Sequence, residues 1–311
     1  MKMLFLDVDS VHPEDLDLSK LTALGCEYFA NSPTDLLYRR IADAQTIITN
    51  KVILDEAAFN AAPLLKHVCI AATGLNNIDL NAAKQRGIQV DNVTHYCTES
   101  VVQHVFSLIL ALNTRLQEYS QDIKAGIWSA SNQFCQLDHS ITEISGKTLG
   151  IIGFGALGQG VAKVAKAFGM NILIAEKLDG TQAPDRTPLK TLLQSADIVT
   201  LHCPLTPESQ CLLDAEKLSW LKPSALLINT ARGAIIDNQA LATTLRKKHI
   251  RGAGIDVLDQ EPPPLEHPLL AQDLTNLILT PHTAWASQTA RQNVIDQIVT
   301  QLRLFKVPNN I

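Results

Sequence analysis

Thr148-Leu149-Gly150-Ile151-Ile152-Gly153-Phe154-Gly155-Ala156-Leu157-Gly158 is the stretch from which the rest of the chain can be read. An apolar run of strand length passes directly into a G-x-G-x-x-G spacing. Beyond it Leu157, Val161, Val164, Ala165 and Phe168 recur at helical intervals, and Gly169 stands where a helix stops. A second apolar run, Ile172-Leu173-Ile174-Ala175, ends in Glu176, 21 residues beyond Gly155. Strand, glycine turn, helix, strand and acid in that order form a dinucleotide-binding fingerprint. Gly153 permits the tight turn, Gly155 lets backbone approach a pyrophosphate, and Gly158 lets helix and strand pack closely. The helix N-terminus, with Ala156 and Leu157 in its first turn, offers free N–H groups to the phosphates. Glu176 accepts hydrogen bonds from the adenosine ribose and repels a 2′-phosphate, which favours NAD over NADP; the base Lys177 beside it offsets part of that repulsion. Gly146-Lys147-Thr148 looks like the end of a P-loop, but position 141 is Ile141 where that motif needs glycine.

Outward from this unit the pattern repeats. Strand candidates at 197–202, 225–229, 252–257 and 276–280 follow, separated by helix-length segments. Ahead of it, 3–7, 44–49, 66–71 and 88–91 alternate in the same way. Such alternation predicts α/β architecture with parallel sheets. A helix is predicted over 99–121, where Val101, Val102, Val105, Phe106, Leu108, Ile109, Leu112 and Leu116 recur at three and four. The stretch from there to Ser145 has no clear period and reads as loop. Trp128 and Phe134 within it read as packing residues, with a place in the active site of this or a neighbouring subunit as the other reading. The expected organisation is two Rossmann-like domains. The substrate domain comprises 1–98 with 287–311, and the NAD-binding domain, 99–286, is inserted into it. The last helix, 287–304, is long enough to return to the first domain.

Composition sets the outer limits. The 311 residues are 46% hydrophobic and 18% charged, which excludes disordered, collagen-like and coiled-coil classes. A net charge of −5 does not favour phosphate backbones, so no nucleic acid is expected. No stretch approaches the ~20 apolar residues of a membrane span, and the start lacks the apolar centre of a signal peptide. Six cysteines with no C-x-x-C pair read as reduced thiols in a cytoplasm, and no spacing supports a metal site.

In open α/β sheets ligands bind beyond the carboxyl ends of the strands. Three late strands are followed there by Thr230-Ala231-Arg232-Gly233, by Leu258-Asp259-Gln260-Glu261-Pro262 and by Pro281-His282-Thr283-Ala284-Trp285. The set suits hydride transfer to a carbonyl beside a carboxylate. Arg232 supplies a bidentate, permanently charged clamp. His282 exchanges the proton, and Glu261 orients the imidazole and stabilises its charged form. The bland alternatives are a structural salt bridge for Arg232, a solvated loop acid for Glu261 and a capping role for His282. The other histidines stand in polar or turn-like surroundings, on the long helix (His104) or at a strand end (His202), where Cys203-Pro204 reads as a wall for the adenine.

With these stretches goes a resemblance. Gly146 to Gly155, Leu201-His202-Cys203-Pro204-Leu205-Thr206, Asn229-Thr230-Ala231-Arg232-Gly233, Asp256 to Pro262 and Pro281 to Trp285 make the chain look like a D-isomer-specific 2-hydroxyacid dehydrogenase over essentially its full length. The resemblance implies Arg232, Glu261 and His282 as the catalytic trio. It implies that the backbone around Thr73-Gly74-Leu75 holds the substrate carboxylate, with Lys51 nearby, and that Asp256 approaches the nicotinamide carboxamide. Thr230 and Ala231 join the cofactor-binding positions, and a homodimer through the cofactor domain is implied. Thr49-Asn50-Lys51 and Ala72 to Asp79 look most like glycerate dehydrogenases, also called hydroxypyruvate reductases. The expected reaction interconverts hydroxypyruvate and D-glycerate. Glyoxylate, pyruvate and phosphohydroxypyruvate are the alternative substrates, and an NAD-sensing interaction protein is the alternative of another class.

Overall fold

The computed structural model describes residues 2–181 and 183–305. Among them, strands β1 (Met3–Phe5), β2 (Cys26–Tyr28), β3 (Thr46–Thr49), β4 (His67–Ile70) and β5 (Gln89–Asn92) form one sheet in the order β2-β1-β3-β4-β5. Strands β6 (Thr148–Ile152), β7 (Asn171–Ile174), β8 (Ile198–Leu201), β9 (Leu226–Asn229), β10 (Gly252–Ile255) and β11 (Leu277–Leu279) form a second, in the order β11-β10-β9-β8-β6-β7. Every neighbouring pair is parallel. The inner strands β1, β3, β4, β8, β9 and β10 are buried at every residue, so apolar residues follow one another without alternation, as in Leu226-Leu227-Ile228. Both sheets are doubly wound and Rossmann-like. Their strand order reverses at β1/β3 in the first and at β6/β8 in the second, and ligands bind at such reversals.

The chain divides into two compact units. One is Thr98–Ala284; the other joins the residues before 98 to those from Trp285 on. The crossings expected at 98/99 and 286/287 differ from these by one and two residues. Residues 306–311, placed in the first domain by the sequence reading, lie outside the described residues.

In the first unit, the helix Gln288–Leu304 lays Ala290, Val294, Ile295, Ile298, Val299 and Leu302 against Met3, Phe5, Ile48 and Cys69 on one face of the sheet. Its Arg291, 7% exposed, forms a bidentate pair with Asp15 at 2.6 and 2.7 Å and donates to the carbonyls of Val11 and His12. That guanidinium holds the Asp15 carboxyl below its usual range.

Two elements differ from expectation. Strand β2, only Cys-Glu-Tyr, carries no readable alternation. The helix predicted over 99–121 breaks at Arg115, which adopts φ 55 between Thr98–Thr114 and Leu116–Lys124. The cause is long-range. The carbonyl of Asn113, which a continuing helix would bond to residue 117, accepts instead from Thr142 N–H at 3.0 Å and from Arg251 at 3.3 Å. No helix among the described residues is long and apolar enough to cross a membrane.

His202 follows β8 and lies inside the second unit. Its Nε2 bonds the Thr200 hydroxyl at 2.9 Å, and its Nδ1 is buried with no partner among the described residues. Burial pushes its pKa down to about 4. Between the unfolded value near 6.5 and about 4, the unfolded chain therefore binds the extra proton. The neutral ring's contribution is complete above pH 6.5 and is lost as pH falls toward 4, a loss of about 3 kcal/mol at most. Urea unfolding of His202→Gln against wild type should show a flatter decline of stability across that window. Parallel declines would contradict the buried, neutral ring.

Candidate active site

The glycine turn is fixed by contact. Gly153 has φ +91, and a Cβ there would lie 2.4 Å from Cys203 N. A Cβ on Gly158 would lie 2.2 Å from the Gly153 carbonyl oxygen. Gly155 caps the helix Ala156–Ala167 and has open space where its Cβ would be, so Ala156, Leu157 and Gly158 form a first turn with an accessible N-terminus. A cavity of about 400 Å³ opens here, lined by Gly153, Gly155, Glu176, Cys203 and Pro204 of the expected positions. Ala156, Leu157, Gly158, Thr230, Ala231 and Asp256 do not line it. The Glu176 carboxylate sits at its wall and accepts the Leu189 N–H at 3.1 Å. Arg186 lines the same cavity, 5.4 Å from the Phe154 ring centroid, and donates to the Ala175 carbonyl. Sequence reasoning missed Arg186, which lies in a loop without pattern. An open glycine cradle, a helix N-terminus and a wall carboxylate together fit a dinucleotide.

The three polar residues expected after β9, β10 and β11 each sit on a short loop held by specific bonds. After β9, Asn229 accepts the Ala231 N–H at 3.0 Å and donates to the Arg232 carbonyl at 2.9 Å, which fixes the loop that presents Arg232. Among the described residues no ion pair involves Arg232, whose Nη1 donates to the Ala231 carbonyl. Thr230 Oγ1 is buried with no partner among the described residues.

His282 and Glu261 are brought together. The imidazole Nδ1 lies 2.6 Å from Glu261 Oε2, and the other carboxylate oxygen accepts the Leu258 N–H at 2.8 Å. Both side chains keep about a third of their surface exposed. The Glu261 loop is braced from two sides. Gly233 permits the approach, since a Cβ there would overlap the Leu258 carbonyl carbon at 1.9 Å. His267, 6% exposed, bonds Asp259 at 2.8 Å through Nε2 and accepts the Leu269 N–H through Nδ1. The capping histidine of this region is therefore His267. The sequence puts His267 in polar or turn-like surroundings; it is buried there, and only its loop partners reveal the capping role.

Asp256, just beyond β10, is bound by the loop that follows β11. Its side chain has no exposed surface. Oδ1 accepts from the Thr280 hydroxyl at 2.5 Å and from Thr283 N–H at 2.9 Å, and Oδ2 accepts from Ala284 N–H at 2.9 Å. Its own carbonyl accepts the His282 N–H at 2.8 Å. The carboxylate expected beside a nicotinamide thus holds the loop that carries His282, a residue at φ 55.

In the first unit, the loops after β3 and β4 are tied to each other. Asp7, at the β1/β3 reversal, accepts the N–H groups of Asn50 and Lys51 at 3.0 and 2.7 Å. Asn77 donates to the Val52 carbonyl at 2.9 Å, and Asn92 to the Thr73 carbonyl at 2.7 Å. Lys51 and the Thr73-Gly74-Leu75 segment therefore share one end of that sheet. Trp128 and Phe134, read as packing residues, are 47% and 89% exposed, so they do not pack inside the chain. Among the described residues no cluster of three or more His, Cys, Asp or Glu could hold a metal ion.

Comparison with known proteins agrees with this geometry. Residues 106–284 match the family described as D-isomer specific 2-hydroxyacid dehydrogenase, NAD binding domain. The chain is 41% identical over 287 residues to the glycerate dehydrogenase of Methylorubrum extorquens, covering 92% of this chain and 90% of that one. It is 34% identical over 313 residues to the hydroxypyruvate reductase of Blautia hydrogenotrophica, covering 98% and 97%. The solved D-lactate dehydrogenase of Aquifex aeolicus, complexed with NAD and lactic acid, superposes with a TM-score of 0.82 at 27% identity, covering 97% of this chain and 94% of that one. The chain belongs to the D-isomer specific 2-hydroxyacid dehydrogenase family and is an NAD-dependent enzyme.

Proposed function

We propose that this enzyme interconverts hydroxypyruvate and D-glycerate, with His282 as acid and base. The observation that carries the chemistry is the 2.6 Å contact of His282 Nδ1 with Glu261. A carboxylate on Nδ1 fixes the ring's tautomer and stabilises its charged form, which assigns proton exchange with the substrate oxygen to Nε2. Bound NADH supplies the hydride that C2 of the keto acid accepts. His282 Nε2 gives its proton to the carbonyl oxygen as the C–O double bond becomes a hydroxyl, and takes it back in oxidation. Arg232, without an ion pair among the described residues, clamps the substrate carboxylate as a bidentate donor and polarises the carbonyl. The backbone of Thr73-Gly74-Leu75 and Lys51 are assigned substrate carboxylate binding by the family resemblance. Gly153, Gly155, the first turn with Ala156, Leu157 and Gly158, Cys203 and Pro204 hold the dinucleotide. Thr230, whose buried hydroxyl has no partner among the described residues, and Ala231 hold it from the loop after β9. Glu176 supports NAD over NADP. The choice of hydroxypyruvate rests on the likeness to a glycerate dehydrogenase and a hydroxypyruvate reductase over nearly the whole chain.

A homodimer through the second unit is part of the same reading. Its support is a run of exposed apolar side chains within 116–141: Leu116, Ile123, Ile127, Trp128, Phe134, Leu137 and Ile141. Isolated exposed apolar residues are ordinary, but such a concentration marks an interaction surface.

Purified protein should oxidise NADH faster with hydroxypyruvate than with glyoxylate, pyruvate or phosphohydroxypyruvate, and faster than it oxidises NADPH. Preference for another keto acid would overturn the substrate assignment. His282→Ala should lose roughly 10²–10⁴ in turnover while still binding NADH; near-normal turnover would remove His282 from the chemistry. Glu261→Gln removes the charge that steadies the imidazole, so kcat for keto-acid reduction should fall while NADH binding stays near that of wild type. An unchanged kcat would make Glu261 a loop acid only. Light scattering should give twice the chain mass for wild type and a shift toward monomer for Phe134→Asp, whereas a monomeric wild type would contradict the dimer.

A further inference from the structure

We propose that His104 is a positioning residue for this reaction, holding the His282 loop through Thr280 and Asp256. The inference rests on the reading of His282 as the proton-exchanging group.

The helix Thr98–Thr114 places His104 by a match of spacings. Leu112, Leu108 and His104 stand four residues apart on one helical stripe, a rise of about 6 Å per step. Gly252, Gly254 and Asp256 stand two apart on one face at β10, about 6.6 Å per step. The two rows run against each other. A Cβ on Gly252 would lie 3.4 Å from Leu112 Cδ2, and one on Gly254 would lie 2.9 Å from Leu108 Cβ. The missing side chains of the two glycines let the helix lie directly on the strand. The next step of the same register sets His104 Nε2 3.4 Å from Asp256 Oδ1 and 3.0 Å from Thr280 Oγ1. The Ser100 hydroxyl, one turn earlier, donates to the Ala284 carbonyl at 2.7 Å, so the helix grips the same loop twice.

The proton positions follow from the partners. The Asp256 carboxylate only accepts, so the Thr280 hydroxyl, 2.5 Å away, donates its single proton there. Thr280 Oγ1 is left to accept, and His104 supplies the Nε2–H. The chain of bonds runs from His104 to Thr280, from Thr280 to Asp256, and from Asp256 to the N–H groups of His282, Thr283 and Ala284. At its end stands His282 with φ 55, a left-handed conformation that strains a non-glycine residue and persists only where surrounding bonds over-determine it. His104 contributes one such bond and acts through the loop, without itself exchanging a proton with substrate.

The test uses full-length His104→Leu, His104→Gln, Thr280→Val and the Leu/Val double variant, with His282→Ala alongside. The readouts are kcat, keto-acid KM, NADH Kd by fluorescence quenching and melting temperature. Loss of the His104 bond should lower kcat about tenfold or more in His104→Leu, since small displacements of a catalytic group cost that much, while NADH Kd stays within about twofold. His104→Gln keeps an amide N–H near the same place and should recover most of the loss. The double variant should be no slower than the slower single one, because both remove the same chain of bonds. Wild-type kcat in His104→Leu beside an inactive His282→Ala would overturn this inference alone. A His104→Gln as slow as His104→Leu, or additive losses in the double variant, would also overturn it. Normal turnover by His282→Ala would overturn the reading of His282, and this inference with it.

Discussion

The site hangs on the buried carboxylate of Asp256. Its charge, with no exposed surface, is balanced by the Thr280 hydroxyl and the N–H groups of Thr283 and Ala284, with His104 close by. A buried carboxylate is costly unless its hydrogen bonds are made, so those groups cannot drift from it cheaply. Because the same residue's carbonyl takes the His282 N–H, both ends of the turn that carries the imidazole are tied to a single strand end. The imidazole in turn meets Glu261, whose loop is fixed by the close approach at Gly233 and by the His267–Asp259 pair. His282 and Glu261 each keep about a third of their side-chain surface exposed, while Asp256 and His267, which brace their loops, are buried.

The same division governs the dinucleotide side. Gly153 and Gly158 are demanded by contacts within the turn, whereas Gly155 leaves open space beside the helix N-terminus. Rigid backbone thus frames an open cradle, and Glu176 and Arg186 stand at its wall with opposite charge. In the first unit, Asp7 does for the Asn50-Lys51 backbone what Asp256 does for the His282 loop. In each unit a carboxylate just beyond one strand gathers the N–H groups of the loop that follows the neighbouring strand.

What the sequence made legible is local. The strand, glycine turn, helix and acid around Gly153 are spaced by covalent geometry, so they could be read at sight. The burial of parallel strands on both faces left consecutive apolar residues such as Ile47-Ile48 in β3, Ile198-Val199 in β8 and Leu226-Leu227-Ile228 in β9. The polar residues beyond β9, β10 and β11 followed from where such sheets bind ligands. What was hidden depends on distant partners. The helix break at Arg115 comes from Thr142 and Arg251 capturing the Asn113 carbonyl, the latter from 138 residues away. Asp256 offered no local sign that its oxygens would be occupied by the loop after β11. His104 looked like one polar residue on an apolar helix until the glycines of β10 were seen to admit that helix. His267 and Arg186 lie in stretches without period, where pattern carries no information.

Direct transfer of hydrogen between NADH and C2 of the keto acid, controlled by His282, is the claim to which these bonds lead. The most direct measurement is to run the reduction of hydroxypyruvate with NADH carrying deuterium at both C4 positions and analyse the product by mass spectrometry and chiral chromatography. The account predicts D-glycerate with one deuterium at C2. Glycerate without the label, the L enantiomer, or no product from folded, NADH-binding protein would contradict it.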